Sequence, residues 1–427
     1  MFKMTRTLLL VLTLAASSGA VASTTRIFLQ IQPHDERYER DREERLFGDS
    51  KIKIGDGAWI AIKELKTRGA GCMTSVRKCF SVELEGPVSF TDAEGDRIPL
   101  SHFDLLSMRE DSGYSSVDLG RQFYAAIGVF PLEGGYAELV VNDHPKGLYY
   151  LLESPKHHLV ARQGAVYGSR GSGPTNKFKT VFYEKDKAPR AEHEYEEARD
   201  EISTLAKRLK DDGDELHRAL ESRMDIDTYL RYQILNSLLM NGDFADEVFW
   251  YAQAANNGDP IYFRVMAWDL ESLFRKPHWF PQNTILWRHR IETTFFYCME
   301  SKLDRRLSRD DHVQEWMASM ARQMLTSTLT PALIAKTFDA TRQRLLPYAE
   351  SRVLAPSVGD KGREAPYTKA ELLQLLEEKQ SRLLERRLEL LERAERILAR
   401  SSEDATSDSR PRLNLAISPD CARLHGR

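Results

Sequence analysis

The chain has 427 residues, of which 41% are hydrophobic and 29% charged, and its formal net charge at pH 7 is −3. This composition is typical of a soluble globular protein with a substantial core. The near-neutral charge gives no indication of a nucleic-acid surface, so we expect no nucleic-acid partner. The length suits two or three average domains or one elaborate catalytic domain.

Residues 1–22 have the pattern of a secretory signal peptide. Lys3 and Arg6 precede an apolar run, and Ala20-Val21-Ala22 matches a cleavage motif. The apolar run is too short to span a bilayer comfortably. We therefore expect a mature protein that starts at Ser23, is secreted or periplasmic, and has no stable membrane insertion.

The chain contains four cysteines, Cys72, Cys79, Cys298 and Cys421. An oxidising compartment favours disulfides, and four cysteines allow three pairings. The preferred pair is Cys72–Cys79, which would close a short loop, and free buried thiols are the alternative. No Cys-x-x-Cys or His-rich spacing indicates a zinc site.

The first half of the chain reads mainly as strands. Alternating residues predict strands at 24–33, 59–62 and 80–84, and a hairpin pairs 137–141 with 148–153. A Gly/Ser-rich run follows at residues 164–173, where glycines would let backbone amides approach a phosphate. The run does not match a Walker loop.

The central stretch runs from Met224 to Trp279 and combines a helix with a hairpin. Apolar residues at helical spacing predict a helix that ends at Asn241-Gly242. Strands are predicted at 248–251 and 261–267, joined by a turn at Asn256–Pro260. The hairpin would bring two acidic clusters, distant in sequence, to the same end of one small unit.

Both clusters carry hard oxygen ligands. Asp243, Asp246 and Glu247 precede the first strand of the hairpin, and Asp269 and Glu271 follow the second. Such ligands suit Mg²⁺, which completes its shell with water and phosphate oxygens. A further carboxylate, held off the metal, can orient or deprotonate an attacking hydroxyl. The alternative is that these acids are ordinary turn residues and helix caps.

The last third of the chain reads as helical. Two or three amphipathic helices are predicted at residues 310–350 and one long helix at 368–400. The irregular leucine spacing of the long helix favours packing on the rest of the protein over a coiled coil. Residues 401–427 are polar and aperiodic, and we expect a disordered tail.

Four motifs together resemble the CotH kinase family, a group of atypical secreted or spore-coat protein kinases. Asn241-Gly242-Asp243 and Trp268-Asp269-Leu270-Glu271 are similar to its Asn-x-Asp and Trp-Asp-Leu-Asp turns. Arg68-Gly69 with residues 77–82 resembles its Arg-Gly…Lys-Lys-x-Tyr stretch, and residues 147–153 resemble its Gly-x-Tyr-x-x-x-Glu strand. The motifs occur in the family's order over roughly residues 50–300.

The resemblance implies a role for each acidic residue of the central stretch. Asp243 would orient the acceptor hydroxyl, and Asp269 would be the main Mg²⁺ ligand. Glu247 stands about where the family has an Asn that contacts the metal. Glu271 replaces the second Asp of the Trp-Asp-Leu-Asp turn. Both replacements keep an oxygen ligand.

The resemblance also implies a set of nucleotide contacts. We expect Arg68, Lys78, Arg170 and Lys177 as candidates for phosphate contacts, and Glu153 as the ion-pair partner of a nucleotide-contacting lysine. The alternatives are an Arg and a Lys flanking an exposed turn, and a surface Glu. The chain departs from the family at Gly168, where a Lys usually follows the tyrosine.

We therefore predict an α+β, atypical protein-kinase-like fold, with a mixed or antiparallel sheet in the N-terminal part and a largely helical C-terminal part. One catalytic domain would span residues 23–400. The predicted function is transfer of the ATP γ-phosphate, with Mg²⁺ or Mn²⁺, to Ser or Thr hydroxyls of a protein partner. The alternatives are an inactive pseudokinase that serves as a binding scaffold and a metal-dependent phosphohydrolase.

Overall fold

The structure is a computed structural model. It describes residues 24–32, 45–69, 72, 75, 77–91, 95–109, 111–129, 132–162, 165–170, 180–183, 197, 200–201, 204, 213–242, 248–253, 262–275, 294–297, 302–350 and 367–407. The predicted signal peptide and mature start, the turn at 256–260, Cys298 and Cys421 lie outside the described residues, as do residues 408–427 of the predicted tail.

Seven of the described strands close into a barrel in the order β1-β2-β3-β4-β5-β7-β6. They are β1 Arg26–Gln32, β2 Leu46–Ile54, β3 Ile60–Arg68, β4 Cys79–Thr91, β5 Arg97–Leu106, β6 Gly134–Val141 and β7 His144–Glu153. Each successive pair is antiparallel except β1 and β6, which pair in parallel and close the barrel.

Alternation of apolar residues fills the barrel interior. Ile27, Leu29 and Ile31 of β1 are all buried, and they join a core of aliphatic and aromatic side chains from the other barrel strands. The interior is therefore a packed core.

The β6–β7 hairpin turns through Asn142 and Asp143, whose φ angles of 49° and 65° are those of the tight turns that match strand twist.

A second sheet lies outside the barrel. It contains β8 Ala165–Arg170, β9 Thr180–Tyr183, β10 Val248–Gln253 and β11 Phe263–Ala267. The order is β11-β10-β8-β9, and every pair is antiparallel. The central hairpin of the sequence therefore forms one side of this sheet.

The helices of the described part of the chain form a second, larger core. They are α1 Ser116–Ala126, α2 Gly213–Glu221, α3 Ile226–Leu239, α4 Lys302–Leu307, α5 Asp311–Gln323, α6 Pro331–Glu350 and α7 Lys369–Ser407. Shorter helical turns lie at Pro155–His157, His158–Arg162, Leu270–Ser272 and Met324–Thr328. Buried side chains of β10, β11 and all seven helices join in one cluster.

The α+β class, the central hairpin and the Cys72–Cys79 disulfide are confirmed. Two features differ from the sequence-based expectation. The N-terminal strands close into a barrel, and α7 continues beyond Arg400 to Ser407, into the segment expected to be disordered. As expected, α7 packs on the rest of the protein, with Leu372, Leu376 and Leu383 fully buried. Within the described residues, no helix is long and apolar enough to cross a membrane.

Candidate functional site

Helix α3 ends at a turn that is fixed by buried hydrogen bonds. Met240 caps the helix in the left-handed region, with φ 48°. The backbone N–H of Asn241 donates to the backbone carbonyl of Asn236 at 3.1 Å, and the side-chain Nδ2 of Asn241 donates to Asn236 Oδ1 at 3.1 Å. The Tyr124 hydroxyl donates to the same Oδ1 at 2.6 Å. The asparagine of the Asn-Gly-Asp turn therefore holds the turn in place.

Backbone hydrogen bonds join this turn to the second acidic turn. The Gly242 amide donates to the Ser272 carbonyl at 3.0 Å, and the Phe274 amide donates to the Leu239 carbonyl at 2.8 Å. Because these hydrogen bonds join backbone atoms, they fix the position of one segment relative to the other independently of the side chains. We call this contact, between residues 239–242 and 272–275, the junction.

The β10–β11 hairpin fixes the other end of the first acidic cluster. Val248 pairs with Ala267, directly before Trp268-Asp269. Asp243 and Glu247 lie outside the described residues. Gly242, the last described residue before them, donates to the Ser272 carbonyl, and Val248, the first described residue after them, pairs with Ala267 in the ladder. The meeting of the two acidic clusters stays a prediction, because residues 243–247 lie outside the described part of the chain.

Asp269 begins the second turn in an unusual backbone conformation. Its φ is 49°, in the left-handed region, and a 3₁₀ turn follows at Leu270–Ser272. Left-handed non-glycine residues are disfavoured and occur often at functional sites. Glu271, two residues on, is buried. Both carboxylates are hard oxygen donors of the type that Mg²⁺ prefers.

The acidic turn packs closely against helix α1. A Cβ atom added to Gly120 would lie 2.8 Å from Leu270 Cδ1 and 3.2 Å from Leu270 Cβ. Real Cβ atoms essentially never come as close as the first of these distances. A glycine within a helix costs about 1 kcal/mol relative to alanine. The close approach of Leu270 therefore explains why a glycine occupies this helical position.

Arg68 links the barrel to the same turn. It ends β3, forms an ion pair with the buried carboxylate of Asp104, and lies 5.1 Å from the Trp268 ring centre. Sequence reasoning missed Asp104. It alternates with the inward-facing residues Phe103 and Leu105, and a polar residue at such a position is commonly exposed to solvent. One oxygen of Asp104 is buried with no hydrogen-bond partner in the described part of the chain. No sequence signal marked that environment.

A small cavity of about 20 Å³, room for about one water molecule, adjoins Asp269. It lies where α1, the barrel strand β7 and the acidic turn meet. Its lining residues are Arg121, Tyr124, Leu132, Leu152, Ala267, Trp268, Asp269 and Leu270. The guanidinium of Arg121 donates to the Leu132 carbonyl, so Arg121 is anchored within the pocket wall.

Two of the other predicted cations, Lys78 and Arg170, are in the described part of the chain. Lys78 is buried directly before Cys79, the ladder partner of Arg68, and its carbonyl accepts a 3.0 Å hydrogen bond from the Tyr149 hydroxyl. The backbone of Arg170 pairs with Phe249, near the start of β10. Lys177 lies outside the described residues. The alternative to a phosphate contact, that Lys78 flanks an exposed turn, therefore does not hold, since Lys78 is buried.

Glu153 differs from the expectation of a lysine partner. Its buried carboxylate, at the end of β7, accepts from Arg162 at 2.7 Å and lies 2.8 Å from His158 Nδ1 and 3.4 Å from His157 Nδ1. Burial alone would raise its pKa, but the hydrogen bonds of the two histidines and the Arg162 charge lower that pKa to about 2. In the described part of the chain, Glu153 therefore pairs with histidine and arginine.

No group of three or more His, Cys, Asp or Glu residues in the described part of the chain is arranged to hold a metal ion. Two members of the predicted set, Asp269 and Glu271, are described, while Asp243 and Glu247 belong to residues 243–247 outside it. The chemistry of the described pair fits Mg²⁺, since this ion commonly takes only one or two protein carboxylates together with phosphate oxygens and water.

Comparison with known proteins agrees with the motif resemblance. The family model described as CotH kinase protein matches residues 65–357, well over half of the chain. The match covers both acidic turns, the junction and every predicted site residue, and it confirms the resemblance. A search of curated proteins finds no match.

Proposed function

Because the chain belongs to the CotH kinase family, we propose that it transfers the γ-phosphate of ATP, with Mg²⁺ or Mn²⁺, to Ser or Thr hydroxyls of a protein partner. The observation that carries this proposal is the junction. The 3.0 Å hydrogen bond from Gly242 to Ser272 holds the turn that leads into Asp243 against the turn that carries Asp269. Phosphoryl transfer depends on such fixed positioning of acceptor and phosphate.

Each acidic residue has a proposed role. Asp269 and Glu271, with Glu247, would hold the metal ion, which when bound neutralises phosphate charge. Asp243 would accept a hydrogen bond from the acceptor hydroxyl and turn its oxygen toward the γ-phosphate. The left-handed conformation of Asp269 supports the assignment, because strained residues persist where surrounding structure holds them.

The cationic residues divide into two proposed groups. Arg68 is held by Asp104 and packs on Trp268, so we assign it to positioning the acidic turn and the phosphates beside it. Lys78, Arg170 and Lys177 remain candidates for nucleotide contacts. The predicted signal peptide places the reaction outside the cytoplasm in this proposal, with a secreted or periplasmic protein as acceptor.

A pseudokinase scaffold is the second candidate. The observation that favours it is the environment of Glu153, which pairs with Arg162, His158 and His157, none of them a lysine. Gly168, at the place of the family's lysine, lies on β8. A scaffold would keep the barrel and the junction for partner recognition without transferring phosphate.

The test uses the purified full chain, γ-labelled ATP and either Mg²⁺ or Mn²⁺. A protein extract of the secreted or periplasmic fraction supplies the acceptor. We expect labelled protein from the wild type, and a loss of at least about a hundredfold in Asp269→Asn. A matched control is Asp143→Asn, an acidic turn residue between β6 and β7. Release of free phosphate without labelled protein would identify a phosphohydrolase. If neither labelled protein nor free phosphate is detected, the pseudokinase scaffold is the remaining candidate.

A further inference from the structure

Helix α7 reaches the candidate site from outside the family match. The match ends at residue 357, and α7 spans Lys369–Ser407. Two of its side chains, Arg382 and Arg386, nevertheless bond to the junction or to a residue beside it. A third, Lys379, lies 5.7 Å from the centre of the Phe274 ring.

The segment that they contact is conformationally strained at both ends. Asp269 has φ 49° and Phe274 has φ 62°, so two non-glycine residues in the left-handed region bracket the acidic turn. For a bulky residue such as phenylalanine this region is disfavoured, and surrounding contacts must hold it there. The turn therefore depends on its neighbours for its shape.

Helix α7 supplies two of those contacts at Phe274. The Arg382 guanidinium donates to the Phe274 carbonyl at 3.1 Å. The Lys379 ammonium lies 5.7 Å from the centre of the Phe274 ring and is itself anchored 3.0 Å from the buried carboxylate of Asp111. A charged donor on a carbonyl is among the stronger hydrogen bonds of a protein. The carboxyl end of the acidic turn is thus attached to α7.

The same helix also caps α3 on the other side of the junction. Arg386 Nε donates to the Ser237 carbonyl at 3.1 Å, and Arg386 Nη2 donates to Ser237 Oγ at 3.1 Å. Ser237 lies in the last turn of α3, where carbonyls lack helical partners and a positive charge is favourable. Arg382 and Arg386, one helical turn apart, therefore hold the two segments that the junction joins.

We propose that Arg382 and Arg386 are positioning residues, and that α7 is a strap that keeps the Asp269 turn aligned with the end of α3. The kinetic consequence rests on the proposed phosphotransfer function. The mechanical part, that these two arginines hold the junction closed, does not depend on it.

The experiment compares Arg382→Gln/Arg386→Gln with Arg387→Gln in the full chain. Arg387 lies on the same helix, but its guanidinium donates to the carbonyls of Leu325 and Leu329, away from the junction. We expect the amides of Gly242 and Phe274 to exchange hydrogen about tenfold faster in the double variant, as when a charged hydrogen bond is lost. The control should leave both amides at the wild-type rate.

The kinetic arm separates positioning from general loss of stability. In the double variant, kcat should fall about tenfold or more, with the KM for ATP unchanged, because the aligned geometry is lost while nucleotide contacts remain. Arg382→Lys/Arg386→Lys should recover part of both effects. If the double glutamine variant does not fold, Arg382→Gln alone, at an exposed position, serves in both arms.

Two outcomes would overturn the proposal. One is exchange of the Gly242 and Phe274 amides at the same rate in the double variant and in Arg387→Gln. The other is an equal loss of kcat in both. If the wild type transfers no phosphate, the proposed function fails and the exchange arm alone decides whether α7 positions the turn.

Discussion

The buried Glu153 carboxylate predicts a defined acid sensitivity. Its pKa is lowered from 4.5 to about 2 in the folded chain. At about 1.4 kcal/mol per pKa unit, this difference corresponds to about 3 kcal/mol of stability. A lowered folded-state pKa means that the contribution is fully present above pH 4.5 and is lost as the pH falls toward 2. Glu153→Gln, which keeps the shape and removes the charge, should remove this contribution.

The assay is urea unfolding of the wild type and Glu153→Gln at several pH values. We expect the free energy of unfolding to differ by about 3 kcal/mol at pH 6 and the difference to shrink steadily below pH 4.5. Glu133→Gln is the matched control, since Glu133 lies 3.7 Å from the same Arg162 but is partly exposed. A difference of the same size at pH 6 and pH 3 would refute the reasoning.

Three further predictions concern packing and cross-links. Gly120→Ala should destabilise the chain by up to about 2 kcal/mol in a urea titration, because overpacking against the acidic turn outweighs the gain in helix propensity. Cys72→Ser/Cys79→Ser should cost about 2.5 kcal/mol in the same assay, since the disulfide closes a loop with a sequence separation of 7. Lys379→Met should cost about 3–5 kcal/mol, because Asp111 would stay buried without its ion-pair partner.

Each of these predictions has a control. Gly86→Ala adds a Cβ where no atom lies within 4 Å and should leave the urea midpoint nearly unchanged. Treating the wild type with a reductant should reproduce the loss seen in the cysteine variant, and should not affect that variant. Asp111→Asn combined with Lys379→Met should be more stable than Lys379→Met alone; an additive loss would contradict the ion-pair explanation.

The sequence predicted local elements more reliably than their assembly. The helix ending at Asn241-Gly242 and the strands of the central hairpin were predictable, because helical spacing and turn residues are local signals. Closure of the barrel was not, since the parallel pairing of β1 with β6 joins strands far apart in the chain. The burial of Asp104 and the particular contacts of α7 with the acidic turn likewise depend on residues far apart in the chain.

In the candidate site, too, local motifs were predictable and contacts that depend on the fold were not. Motif order placed Arg68 and Asp269 in one site, and the contact of Arg68 with Trp268 agrees with that placement. In the described part of the chain, the partners of Glu153 are histidine and arginine and not the predicted lysine. His157, His158 and Arg162 follow it within one helical stretch, and only the fold of that stretch back onto the end of β7 shows that they surround the carboxylate.

The central claim is that the two acidic turns form a single phosphotransfer site. The most direct measurement is a double-mutant cycle on the rate of phosphate transfer, with Asp243→Asn, Asp269→Asn and both together. Because groups that act as a unit are not additive, we predict that the double variant is no slower than the slower single variant. A double variant whose loss equals the product of the two single losses would show independent roles and contradict the account.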